Sequence, residues 1–355
     1  MNFKIKHLMD QPQENHDLQW LQNALQSAIE LELSTLPPYL CGLYALQDQD
    51  SDVASWITDI VFDEMRHFGL ACNLLRATGK QPQIFDGYDA IVYPGPLPGG
   101  VRPQCNPTLR FPCTPDFKVV LGFADYQSFV QMCMQIEYPE DPVPRPVVRA
   151  LDIEEETFPT IGQFYRAVLE AFKNLDTTIP YQRDIDKQLE KGFPKIVKID
   201  GLQAASEAIT LIQKQGEGAS KFPYSDPEHK TLAHFYTFGQ IYYRKKYVFD
   251  EEKKTGDWTG DKIEIPKVYP MQPVPLGGYG AGTPAEVMEC DRIFTKMLQQ
   301  LDHAWATGDP MALTAAVNSM TELKAAILDL FQKKQIPHPG GGIYGPQFRK
   351  SVQSA

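Results

Sequence analysis

The sequence predicts a mainly α-helical fold: a bundle of long amphipathic helices with long Pro/Gly-rich connections, followed by a C-terminal helical hairpin. Three observations carry this. Apolar residues return every three or four positions in segment after segment, strand-like alternation is short and isolated, and the helical runs are separated by stretches dense in proline and glycine. At 355 residues, 43% of them hydrophobic, the chain can build one large domain or two average ones. We expect a bundle over residues 1–250, with a connector, hairpin and docked tail over 251–355 packed on it as one unit.

Asp17 is placed to cap the first long helix, whose apolar face runs through Leu18, Leu21, Leu25, Ile29, Leu36 and Leu43. Glu32 falls on this face. Glu30 instead falls with Asn23, Ser27 and Ser34 on a polar flank. Pro37 and Pro38 lack the N–H that an earlier carbonyl needs, so the helix should kink just past Glu32, or end there and restart at Pro38.

The second helix, Val53 to Ala77, is entered through Asp50, Ser51 and Asp52 and left at Gly79. Its stripe reads Val53, Ile57, Ile60, Glu64, His67, Ala71 and Leu74, which puts Glu64 and His67 where core residues belong. A buried carboxylate beside a buried imidazole needs a strong partner. A metal ion is one; a local ion pair or a satisfied core histidine is the plainer alternative. The short connection makes the two helices antiparallel neighbours, so that Glu32 can face Glu64.

From Lys80 to Asp116 regular structure fails, and seven prolines lie between Pro94 and Pro115, a composition that suits a lid packed on the body through Tyr93, Phe111 and Phe117. Helix is expected again over 116–138, where Phe123, Tyr126, Val130 and Cys133 lead to Glu137 on one face. Further helices are expected at 160–175, 201–215 and 227–249, the last placing Thr231, His234, Phe238 and Ile241 on one stripe. Residues 250–282 read as a connector, and 284–306 with 310–334 as a hairpin split at Gly308. The tail would dock through Tyr344 and Phe348.

A net charge of −11 and the absence of a basic stripe argue against nucleic acid as a partner. No secretion signal or membrane-spanning run is visible, so a cytoplasmic protein is expected. Six scattered cysteines form no Cys-x-x-Cys pair; Cys105 and Cys113 share a loop, bridged or free. Dinucleotide, Walker and nucleophile-elbow motifs are missing. Glu32, Glu64, His67, Glu137 and His234 nevertheless interrupt the apolar stripes of four helices, and that coincidence favours a metal. Carboxylate and imidazole without thiolate suit iron or manganese. Without metal such carboxylates should repel one another, so removing Glu64 is expected to relieve strain.

AIELELSTLPPYL (28–40) and DEMRHFGLACNLLRATG (63–79) strongly resemble the ferritin-like family of iminophenyl-pyruvate dimer synthase domains. That domain type belongs to the oxidative tryptophan-dimerising enzymes of the violacein and rebeccamycin pathways. QIEYPE (135–140), TIGQFYRA (160–167), QGEG (215–218), AHFYTFGQIY (233–242) and GPQF (345–348) continue the resemblance across essentially the whole chain. It implies a ferritin-like metal-binding bundle with Glu32, Glu64, His67 and His234 as ligands. Glu137 and Glu217 match acidic positions of its later motifs. Two departures stand out: Gln163 where a glutamate is expected, and Thr231 rather than an acid one turn before His234. They leave a symmetric dinuclear site, an asymmetric one and a mononuclear one all open. The expected function is a metal-dependent oxidoreductase, with non-haem iron as the expected metal, using dioxygen on a small amino-acid-derived or aromatic metabolite. A storage protein without turnover and a metal-free relative are the alternatives. Tyr39, Phe68, Phe235 and Tyr236 are expected to line the pocket or fill the core. The sequence does not set the oligomeric state.

Overall fold

The computed structural model describes residues 4–101, 117–145, 160–192, 194–216 and 221–351. A short helix α1 (Lys4–Met9) precedes the first long one, α2 (Leu18–Tyr44), whose opening is capped by Asp17 accepting from the Trp20 N–H at 2.8 Å. The helix runs unbroken across Pro37 and Pro38. Pro38 cannot donate to the Ser34 carbonyl, and the Tyr93 hydroxyl from the following loop donates to it instead at 2.6 Å. Helix α3 (Asp52–Ala77) opens at Ser51 and buries every residue of its predicted stripe, Glu64 and His67 included.

Helix α4 (Tyr126–Ile136) begins about ten residues later than the sequence suggests. The intervening residues are committed elsewhere: Val119 pairs with Gly95, and Phe123 donates to the Met271 carbonyl. Asp125 then starts the helix by accepting from the Ser128 N–H at 2.8 Å. Helix α5 (Ile161–Leu175) pairs with α6 (Leu202–Gly216).

The expected helix over 227–249 shrinks to α7 (His234–Tyr243). Before it lies a small antiparallel pair, β1 (Tyr224–Asp226) and β2 (Thr231–Leu232). After it Arg244 turns left-handed at φ 55°, and the chain enters an antiparallel hairpin, β3 (Lys245–Asp250) and β4 (Thr255–Lys262). Trp258 explains the change of element: it stacks near Tyr243, sits edge-on to Tyr247 and donates its indole N–H to the Tyr236 carbonyl, rewarding the strand register opposite Tyr247. The hairpin spans residue 250, where a bundle boundary was expected.

Helices α8 (Ala285–Thr307) and α9 (Pro310–Asp329) form the C-terminal hairpin, with Gly308 left-handed between them. The tail docks as expected, burying Tyr344 and Phe348, and its Gln347 amide and Arg349 N–H both donate to buried Asp291. Four helices, α2, α3, α7 and α4, enclose a ring in which each touches the next, and α5 and α6 cover one flank. Their inner faces belong to one continuous apolar core that also reaches α8 and α9. Among the described residues no helix is long and apolar enough to cross a membrane. Cys41, Cys72, Cys133 and Cys290 are free and buried; Cys105 and Cys113 lie outside the described residues, as do residues 102–116 of the proposed lid, Phe111 among them.

Candidate metal centre

Within that ring the predicted carboxylates and imidazoles meet. Glu32 comes from the middle of α2, Glu64 and His67 from α3, Glu137 from the C-terminal cap of α4, and His234 from the first residue of α7. None is more than 6% exposed. They form two triads, Glu32–Glu64–His67 and Glu64–Glu137–His234, whose ligand atoms lie within 4.8 Å of one another. Glu64 belongs to both. Its Oε1 lies 3.4 Å from His67 Nδ1 and 3.1 Å from His234 Nδ1. Glu32 Oε2 and Glu137 Oε2 each stand 3.6 Å from the Nδ1 of their own histidine. The two imidazole rings are stacked with centroids 5.7 Å apart.

Each carboxylate divides its oxygens in the same way. One oxygen faces the centre, and the other accepts a hydroxyl: Tyr165 for Glu32, Tyr39 for Glu137, and Thr35 for Glu64 at 2.7 Å. The histidines are held from behind. His67 Nε2 meets the Gln215 side-chain carbonyl at 3.0 Å, and His234 Nε2 meets Asp63 Oδ2 at 3.4 Å. Both partners only accept at those atoms, so each Nε2 carries its hydrogen and each Nδ1 is turned toward the carboxylates. The Gln215 amide donates in turn to the other oxygen of Asp63, tying the two rings together.

The electrostatics follow from this crowding. Burial alone would neutralise His67, but the hydrogen bonds and charges of Glu32 and Glu64 outweigh it and raise its pKa to about 10. His234 is raised well above its ordinary value against the same burial by Asp63, Glu137 and Glu64. Burial raises Glu32, whereas for Glu64 the two histidines overcome burial and lower it. The expectation of self-repelling carboxylates is therefore corrected for Glu64: in the metal-free protein it is held between two imidazolium rings. Nδ1 of His234 is nonetheless buried with no aligned hydrogen-bond partner, although carboxylate oxygens stand close by. Once its proton is lost, the lone pair of a nitrogen so placed fits a metal ligand, and the oxygen and nitrogen donors fit iron or manganese.

A cavity of about 30 Å³ adjoins the cluster, walled on its apolar side by Leu31, Ile136, Ile161 and Ile212. Of the aromatic residues expected there, Tyr39 binds Glu137, while Phe68 packs edge-on to Trp305 and Phe235 packs beside Trp258 and Tyr138 in the core. Tyr236 likewise belongs to the core. Gln163 forms a capping box with Thr160 at the start of α5 and does not face the centre, and Thr231 sits on β2, not on the His234 helix. Glu137 takes part in the second triad without either of them. Glu217 lies outside the described residues. Sequence reasoning gave no role to Thr35, Asp63, Tyr165 and Gln215, although each lies within a motif quoted for the resemblance. Glu30, expected on a polar flank, is buried and paired with Lys4 of α1 at 3.1 Å.

Four helices closing on a buried carboxylate–imidazole cluster describe a class of metal-binding bundle. The chain belongs to the ferritin-like family, whose model matches residues 25–243. Its fold is similar to that of a ferritin-like protein from Caulobacter vibrioides, with 24% sequence identity and a TM-score of 0.63. The match covers 93% of this chain and 97% of that one. No curated protein matches the sequence.

Proposed function

We propose that the protein is a metal-dependent oxidoreductase of the iminophenyl-pyruvate dimer synthase type, using iron and dioxygen on a small aromatic or amino-acid-derived metabolite in the cytoplasm. The observation that carries the reading is the buried Nδ1 of His234, which has no aligned hydrogen bond yet faces carboxylate oxygens of Glu64 and Glu137. Glu32, Glu64, His67, Glu137 and His234 would hold the metal, with Glu64 shared between two positions. Iron held there would supply one-electron redox chemistry with open positions for dioxygen. Tyr165, Tyr39 and Thr35 keep the carboxylates oriented, and Asp63 with Gln215 fixes the histidine tautomers. Leu31, Ile136, Ile161 and Ile212 keep bulk water from the cluster.

The test is metal analysis after anaerobic reconstitution with iron(II) or manganese(II), followed by mixing with dioxygen and absorption spectroscopy. Binding near stoichiometry and a dioxygen-dependent absorption change are expected. Fewer than about one ion per ten chains would overturn the reading. A second reading, metal binding without turnover on an organic substrate, draws on the cavity of only about 30 Å³ beside the cluster. It is supported if dioxygen oxidises the loaded metal yet no candidate metabolite is consumed.

A further inference from the structure

A second, larger cavity lies elsewhere. It is a cleft of about 570 Å³ between the loop that follows α3, the connector before α8 and the C-terminal tail, and it shares no lining residue with the metal centre. That volume is in the range of small-molecule sites, roughly 300–1,000 Å³.

Its chemistry is lopsided. Three charged residues line it, Asp89, Arg349 and Lys350. Lys350 is already neutralised, its Nζ 2.6 Å from Asp89 and 4.3 Å from the centre of the Phe85 ring. Arg349 is anchored through its backbone, the N–H donating to Asp291 at 3.0 Å, but among the described residues its exposed guanidinium makes no ion pair or hydrogen bond. The fold makes room for that group. Gly278 is left-handed at φ +84°, and a Cβ there would come within 2.8 Å of Arg349 Cδ and 2.9 Å of its Nη1. The rim is apolar: Leu276 is 70% and Val92 46% exposed, so two of the five most exposed large hydrophobic side chains among the described residues meet at this one cleft. Tyr93 supplies an aromatic wall between them and α2.

We propose that this cleft binds a small organic acid with an aromatic or aliphatic body, its carboxylate paired with the Arg349 guanidinium and its body laid against Val92, Tyr93 and Leu276. A planar guanidinium can receive both carboxylate oxygens, and the apolar rim would take up the body of the acid beside that pair. Among the lining side chains Lys350 and Asp89 cancel, and Arg349, offset in part by the buried Asp291 carboxylate behind it, is the cation that would favour an anion over a neutral or cationic molecule of the same shape. The inference goes beyond the metal-dependent function and does not depend on it.

Isothermal titration of the full-length protein with 3-phenylpropionate, 3-phenylpropionamide and 3-phenylpropylamine tests it, in the metal-loaded protein and after chelation. Saturable binding of the acid at one site per chain is expected, at least about tenfold weaker for the amide and for Arg349→Gln. Chelation should leave it unchanged. Leu276→Asp, at a highly exposed position, should weaken the acid by a similar factor and serves if Arg349→Gln does not fold. No saturable binding of the acid would overturn the proposal. So would equal binding by wild type and both variants, or binding lost on chelation but indifferent to Arg349, which would place the acid at the metal centre.

Discussion

Metal-free and metal-loaded protein should respond to pH in opposite ways, because the same two imidazoles are protonated in one state and must be neutral in the other. His67 has an ordinary pKa of 6.5 and a folded value of about 10. A basic group raised in this way contributes its stabilisation fully below about pH 6.5 and loses it as pH rises through about 10. The gap corresponds to about 5 kcal/mol at most, since Glu64 is shared with His234 and the two rings do not each command its whole charge. His234 acts in the same direction. Chelated protein should therefore lose stability to urea between about pH 6.5 and pH 9.5, and the chelated His67→Gln variant should lose less. Metal binding must displace both protons, so metal-induced stabilisation should grow over the same range, with about two protons released near pH 7. Calorimetry in buffers of different ionisation enthalpy counts those protons. If the chelated wild type and His67→Gln show the same pH dependence, and loading releases no protons, the imidazoles are neutral in the metal-free protein and the electrostatic reasoning fails.

The other expectations concern single side chains. Glu64→Gln removes the charge common to both triads and should weaken iron(II) binding by more than about 100-fold; a wild-type anaerobic titration curve would refute the shared role. Asp63→Asn can offer its amide to His234 Nε2 and so disturb the tautomer, and a loss of roughly 10- to 100-fold in cobalt(II) affinity is expected, with melting of the chelated protein as control for folding. Tyr93→Phe strips the Ser34 carbonyl of the donor that replaces Pro38, and denaturant unfolding should register about 1–3 kcal/mol; an unchanged midpoint would mean that another group satisfies that carbonyl.

The long helices were legible because their apolar periodicity is strong, and Glu32, Glu64, His67, Glu137 and His234 stood out as ionisable groups on stripes that α2, α3, α4 and α7 do bury. What failed was local. The segments around 117–125 and 245–249 carry helix-compatible spacing, but tertiary partners, Gly95 and Met271 for one and Trp258 with Tyr247 for the other, pull them into extended backbone. Glu30 looked solvent-facing because nothing in its own helix shows that Lys4 will come to cover it. Asp63 and Gln215 head quoted motifs but drew no role for a related reason: polar residues one step off a stripe look like surface until a distant helix end arrives beside them.

The hydroxyls behind the three carboxylates set a denticity rule. With one oxygen of Glu32, Glu64 and Glu137 each engaged by a phenol or a threonine, each carboxylate would offer its other oxygen first to an ion held there. Binding through both oxygens would make the ion compete with that hydroxyl for the same oxygen, and for Glu32 and Glu137 the hydroxyl is carried by a buried tyrosine ring. Residues outside any coordination sphere would thereby bias how many donor atoms an ion receives from the chain, and so how many positions it would keep for small exogenous ligands.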